Sequence, residues 1–300
     1  MKTKRGLVEI HIAAFLFGFA GLFGKLVSLN PVAIVCGRTF FAGLVLFISL
    51  SYLGDSISVH STRDLVTLCL SGLVLAVHWF TFFYSIQIST VAIGLLTFST
   101  FPLFVTFMEP YFFAEQLRPF DIFVALIVVV GLVLVIPEFD FSNSVTQGVL
   151  WGVLAGFTFA ILSLLNRKHV QTYSPLVVAF YQHVFAAIFT LPILVFMRIS
   201  PTAKDVFLLA ILGIFCTALA QTLFIGSLVH IKAQLASVIS GLEPVYGVFF
   251  ALVLLGEVPS MRTIVGGCII LGAVFLAMAS QSPGSNILTK RFWLGFIRKK

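Results

Sequence analysis

Apolar residues fill the chain in runs of about twenty, and what separates the runs is short: a proline, a glycine, or a few charged and hydroxyl side chains. A helix needs ~20 residues to cross ~30 Å of hydrocarbon. Cut at their polar and proline-marked breaks, the runs give ten such segments, near 7–27, 32–53, 64–86, 91–113, 119–136, 147–166, 175–197, 205–228, 233–255 and 262–280. The pattern predicts an all-α integral membrane protein with ten transmembrane helices, and an even number of crossings leaves both termini on one side.

The same pattern repeats. At an offset of 142 residues, Gly6 aligns with Gly148, Ala13 with Ala155, Phe15 with Phe157, Phe17 with Phe159, Lys25 with Arg167, Ser85 with Ser227, Pro102 with Pro244, Phe107 with Phe249 and Glu115 with Glu257. The expectation is two copies of one five-helix unit, residues 1–140 and 141–281, followed by a basic tail, 282–300. Five is odd, so the second copy enters from the opposite face and the repeat is inverted.

Charge orients this arrangement. With the N-terminus inside, thirteen Lys and Arg residues face the cytoplasm and four (Lys25, Arg198, Lys204, Arg262) face outward. The loop "PEFDFSNSVTQ" (Pro137–Gln147) carries acid and no base, as an outer loop should. Both termini are therefore expected in the cytoplasm, with the protein in the cell (inner) membrane. The chain is 60% hydrophobic and 10% charged, so the net charge of +7 reads as topology rather than as a nucleic-acid surface. Cys36, Cys69, Cys216 and Cys268 each sit in a different apolar run with no ligand spacing, which predicts buried small hydrophobes, no metal and no cofactor. The opening "MKTKRGLVEIHIAAFLFGFAG" resembles a signal peptide, but Glu9, His11 and its partner run at 147–166 argue that it stays as the first helix. The tail "LTKRFWLGFIRKK" (Leu288–Lys300) reads either as a segment lying on anionic headgroups or as a disordered basic end.

Two stretches carry a more specific signal: "STFPLFVTFMEPYFFAEQLRPFDIFVALIVVVGLVLV" and "SGLEPVYGVFFALVLLGEVPSMRTIVGGCIILGAVFLA", each with a proline, an apolar run, a glutamate thirteen residues later and glycine in the closing helix. With the ten-helix count and the duplicated unit, these resemble the EamA family of the drug/metabolite transporter superfamily over residues 6–280. The resemblance implies a secondary transporter of small metabolites, many members exporting amino acids or related compounds, with a central cavity between the repeats.

Polar residues at membrane depth are the candidates for that cavity. Glu243 lies eleven residues past Lys232, ~16 Å into the bilayer, where a charge costs ~2.5–3.5 kcal/mol. It can bind a substrate cation, carry a proton for coupling, or close an ion pair. Pro244 beside it removes the hydrogen bond to the Ser240 carbonyl and should kink the helix. The mate of Glu243 at the repeat offset is Phe101, so only one half carries the acid. Ala236, Ser240, Glu243 and Gly247 fall on one helix face, and Gly148, Gly152 and Gly156 form a packing stripe.

In "VHWFTFFYSIQ", His78 and Trp79 lie ~12–13 Å from the outer end, with Gln221 at similar depth from the other side. Trp79, Tyr84, Tyr181 and Tyr246 are candidates to line a cavity. His78 either joins Glu243 in proton coupling or bonds a neighbouring helix. Arg38, ~10 Å from the outer surface, either holds a substrate carboxylate or snorkels to the headgroups. Glu109, Glu115 and Glu257 stand near helix ends, and the last two read as structural.

An enzyme is disfavoured: the chain has no HExxH or GxSxG, and all five aspartates lie at or beyond helix ends. The reading is a non-enzymatic transporter, exporting amino-acid-like metabolites by alternating access, with a small-molecule substrate and the lipid bilayer as partners, no nucleic acid, and room for a homo-oligomer. The competing readings are a drug or nucleotide-like compound as substrate, or a membrane scaffold.

Overall fold

The computed structural model describes residues 2–113, 117–136, 140–197 and 199–281. Glu115, Arg198 and the basic tail lie outside the described residues.

The described chain is a bundle of helices: α1 (Thr3–Leu26), α2 (Pro31–Leu53), α3 (Thr62–Ile88), α4 (Val91–Phe113), α5 (Pro119–Val135), α6 (Ser144–His169), α7 (Pro175–Met197), α8 (Ala203–Ser227), α9 (Leu235–Leu255) and α10 (Met261–Gln281). Eight of them, all but α5 and α10, are long and apolar enough to cross a membrane, while α5 and Met261–Ala273 of α10 are shorter apolar helices. The chain is a multi-pass membrane protein.

Polar caps set the helix starts. Asn30 accepts from Ala33 N ahead of Pro31, Ser61 from Asp64 N, Thr90 from Ile93 N and Asn143 from Val145 N, each satisfying a donor that the first turn leaves over. Thr202 and Asp205 cap α8 reciprocally. Gly54 and Gly256 end α2 and α9 in left-handed conformation at φ 68° and 67°, which a side chain would strain.

Helices α3 and α6 pack face to face, as do α2 and α7, and α5 and α10; α1 lies against α8 and α9. The glycine stripe of α6 has the expected packing purpose: a Cβ on Gly156 would lie 2.9 Å from the Phe98 carbonyl oxygen and 3.2 Å from Phe101 N. The main apolar core runs through α1–α4 and α6–α9, and a smaller one joins α5 to α10 through Val124, Val128, Val135, Ile270 and Ala273. Rings and branched chains such as Phe40, Leu126 and Phe249 face outward, where hydrocarbon would meet them.

Helices α4 and α9 are each interrupted. α4 runs as Val91–Phe98 and Phe101–Phe113, with a turn at Ser99–Thr100; at α9 the segment Ala233–Ser240, which begins two residues ahead of the span, is followed by Glu243–Phe250 across a turn at Gly241–Leu242. The expected kink at Pro244 is thus a full break. Pro102 and Pro244 occupy the second position after each turn, where a missing N–H is harmless. The ladder is carried past them by short bonds, Leu103 N to Thr100 O and Val245 N to Leu242 O, both 3.0 Å. The two turns stand 142 residues apart, the offset at which the sequence aligns with itself.

Candidate functional site

Glu243 opens the second half of α9 and is 3% exposed. Because the turn before it resets the helix phase, Ser240 and Glu243 do not share a continuous helical stripe. Both are buried nonetheless, as are Ala236 and Gly247. The Glu243 side chain lines a small cleft with Phe17, His78, Trp79, Phe82, Phe98 and Phe159, about 190 Å³ of space between atoms with no room for a water.

Rings from four helices make this an aromatic box. His78 lies 4.7 Å from Trp79, 4.9 Å from Phe159 and 5.4 Å from Phe98. Phe17 of α1 meets Phe159 of α6 edge-on at 6.5 Å. Phe101, at the other break, stacks on Phe98 and meets Phe159 edge-on, both at 5.0 Å. A carboxylate set among ring faces is suited to a soft organic cation, which both the charge and the ring quadrupoles attract. His78 Nδ1 donates to the Ala155 carbonyl at 3.0 Å, the neighbouring-helix bond that was one of its two expected roles.

Arg38 does not snorkel. It is 0% exposed and turned into the bundle, its guanidinium carbon 3.3 Å from the centroid of Trp79 and 5.2 Å from that of Phe83. Nε donates to Thr217 Oγ1 at 2.9 Å and one Nη to the Cys216 carbonyl at 3.4 Å. The reason lies in α8, where Ile214–Leu219 forms a π-helical turn. The wider turn loosens the regular ladder and lets a carbonyl accept from outside the helix. No ion pair of 4.0 Å or less joins Arg38 to Glu243, yet Arg38 is the charge whose field reaches Glu243.

The other candidates divide. Gln221, Ser240 and Trp79 are buried, and the Gln221 amide, Ser240 Oγ and Trp79 Nε1 have no partner among the described residues. Tyr181 does not belong to the site: its hydroxyl donates to the Ile57 carbonyl at 2.7 Å, in the loop between α2 and α3. Tyr246 also misses the cleft, its ring edge-on to the half-exposed Phe15 at 5.4 Å. Tyr84 stacks on Phe80 and meets Trp151, away from the box. A tyrosine on a one-sided helical pattern gives no phase for its ring, which is why these three read alike in the sequence.

Sequence reasoning passed over Phe17, Phe82, Phe98, Phe159 and Thr217. A signal for two of them was present, since Phe17 and Phe159 are mates at the repeat offset. The π turn that positions Thr217 leaves no mark in composition or periodicity.

Two acids near helix ends bond neighbouring elements. Glu257 accepts from Val91 N and Ala92 N, both at 3.2 Å, capping α4 from the far end of α9, while Lys25 Nζ donates to the Gln87 and Ser89 carbonyls. Glu109 pairs with Arg167, which also lies over the Phe113 ring.

A family model described as EamA-like transporter family matches residues 4–136 and again residues 146–279. The S-adenosylmethionine uptake transporter of Rickettsia bellii is 26% identical over 249 residues, 83% of this chain and 84% of that one. The pseudopaline exporter of Pseudomonas aeruginosa is 24% identical over 289 residues, covering 94% of this chain and 98% of its own length. A crystal structure aligns with a TM-score of 0.68 at 18% identity, over 92% of this chain and 96% of its own, which speaks for the fold.

Proposed function

The chain belongs to the EamA-like transporter family of the drug/metabolite transporter superfamily, and from that premise we propose a secondary transporter whose central site takes a small metabolite bearing an organic cation. Like its family and relatives, it is a transporter of small molecules and not an enzyme. The observation that carries the proposal is Glu243: a buried carboxyl group at a helix break, walled by rings from α1, α3, α4 and α6. Uptake of S-adenosylmethionine by a relative agrees with this chemistry, because that compound is a sulfonium cation.

The full arrangement we propose is ten transmembrane helices in two inverted five-helix repeats, residues 1–140 and 141–281, in the cytoplasmic membrane with both termini inside. The matching breaks at Ser99–Thr100 and Gly241–Leu242 and the double family match support it. The two repeats rock about the box in alternating access. The cleft, too tight here for a water, widens toward one face at a time. Glu243 is the coupling group: the cation or a proton occupies it in turn, while His78, held on Ala155 O, stiffens the wall.

The test is flux into liposomes containing purified protein, with S-adenosylmethionine and amino-acid-derived amines as probes. Glu243→Gln should abolish saturable uptake while the protein folds normally, and Glu243→Asp should retain part of it. Undiminished flux in the Gln variant would remove the carboxylate from the mechanism.

A further inference from the structure

Beyond the cationic end of the substrate, the box is flanked by a second set of buried groups, and all of them can donate. Arg38 has five N–H bonds in a planar fork. Its Nε is taken by Thr217 Oγ1 at 2.9 Å and one Nη reaches the Cys216 carbonyl at a long 3.4 Å, while Nη1 has no partner. Thr217 Oγ1 itself donates to Leu212 O at 2.7 Å, so its lone pair is left for Arg38 and the orientation of the fork is fixed. Trp79 Nε1, on the ring beneath the guanidinium, is unpartnered. So is the whole Gln221 amide, four residues beyond Thr217 and about one turn along α8. Gln221 is followed a turn later by Phe224, which meets both Phe17 and Phe159 of the box, so this part of α8 borders the cleft.

We propose that Arg38, Gln221 and Trp79 form an oxyanion subsite that binds the carboxylate of the transported molecule, which makes the substrate a zwitterion rather than a simple amine or onium ion. The proposal rests on the cation reading of Glu243 and adds the second end of the molecule. Three arguments carry it. First, buried polar groups are nearly always satisfied, so the unpaired donors of Arg38 and of the Trp79 ring against it, with the unpaired Gln221 amide a turn beyond the Thr217 that holds Arg38, mark a place where acceptors belong. Second, the set is matched to an oxyanion: guanidinium and indole N–H groups only donate, and the Gln221 amide can turn its NH₂ inward. A carboxylate with its two oxygens can take Nη1 together with a second donor, the geometry for which arginine is best suited.

Third, nothing resident takes that role. None of the three ion pairs among the described residues includes Arg38. The titratable groups that face it are His78 on α3, His183 on α7, Cys216 on α8 and Glu243 on α9. The only acid among them, Glu243, lines the aromatic cleft together with Trp79 and forms no ion pair with Arg38. The indole of Trp79 lines the cleft that holds Glu243 and carries the guanidinium of Arg38 against its ring. A substrate spanning that ring would meet a negative group at one end and a positive group at the other.

The experiment compares matched probes on purified protein: S-adenosylmethionine against its decarboxylated sulfonium, and lysine, arginine and methionine against the amines left when their carboxylates are removed. Binding is read as the ligand concentration that gives half the full thermal stabilisation. The expected result is that at least one acid-bearing probe binds about tenfold or more tightly than its decarboxylated partner. Gln221→Leu, which leaves Arg38 in place, should shrink that preference, and Arg38→Gln should erase it, while the decarboxylated partner binds both variants as it binds the parent. Decarboxylated probes that bind the parent as well as their acids do, and lose binding only in Glu243→Gln, overturn the subsite and leave the cation site standing. Failure of every probe, acid and amine alike, overturns both readings together. An acid preference that survives Arg38→Gln in a folded protein places the carboxylate elsewhere and also overturns the subsite.

Discussion

Replacing Gly18 with alanine tests whether the position of Glu243 is set by the contact between α1 and α9. A Cβ on Gly18 would stand 2.7 Å from the Glu243 carbonyl oxygen, 2.8 Å from Tyr246 Cβ and 3.1 Å from Gly247 N. Two of these are backbone atoms, which cannot rotate aside. To reach an ordinary contact of 3.4 Å the helices must part by about 0.7 Å. Overpacking of this kind costs ~1–3 kcal/mol, against at most ~1 kcal/mol gained in helix propensity. The net cost is then up to about 2 kcal/mol, and since about 2 °C accompanies each kcal/mol for a chain of this size, the apparent melting temperature in detergent should fall by up to about 4 °C. The displaced atom is the carbonyl of Glu243 itself, so binding of a sulfonium or amine probe should weaken as well. Gly272→Ala is the internal control, because a Cβ there meets nothing within 4 Å; it should leave melting unchanged or raise it slightly and leave binding alone. If Gly18→Ala melts and binds like the parent, or if the two variants fall together, the close crossing is not what holds Glu243 in place.

Two further outcomes follow from the ends of the helices. Glu257→Gln removes the charge from the cap on Val91 N and Ala92 N; it should cost ~1 kcal/mol and speed hydrogen exchange at those two amides, and unchanged exchange would refute the cap. Tyr173, in the loop between α6 and α7, has its phenol held above the ordinary tyrosine range, by burial first and by its hydrogen bond to Asp64 second. The folded state therefore keeps a proton that the unfolded chain releases. The stabilisation is complete below about pH 10 and is lost as pH rises through the folded value. The difference in melting temperature between parent and Tyr173→Phe should be constant from about pH 7 to 9 and shrink at higher pH; a difference that stays flat above that range contradicts it.

The helices were legible because hydrocarbon imposes one length and one polarity on each, and because proline, glycine and hydroxyl residues punctuate them. The breaks in α4 and α9 were half legible. Pro102 and Pro244 pointed to them, but a proline read by itself predicts a lost bond and a kink, whereas the two-residue turn ahead of each proline depends on how Ser99–Thr100 and Gly241–Leu242 bond backward into the preceding turn. Glu243 could be found from its cost alone. Arg38 could not be assigned, since ~10 Å from a surface a long side chain has a choice of directions, and what decides between them is a carbonyl freed by a π turn 178 residues away. The tyrosines failed for the same reason in reverse: depth is readable from residue counts, while rotation about the helix axis needs its neighbours.

The asymmetry between the two breaks follows from the box itself. Position 101, the mate of Glu243, is a phenylalanine, fully buried and packed on Phe98 and Phe159, two of the rings that wall the acid. A second glutamate there would set two carboxyl groups facing the same small cleft. Like charges in low dielectric cannot both ionise, so one would hold its proton and the site would bind a cation no better for having two. A ring at position 101 instead deepens the attraction of the single carboxylate for a soft cation. The two related breaks are therefore unlike by position, one opening on the acid and the other on a ring that packs behind Phe98 and Phe159 in its wall.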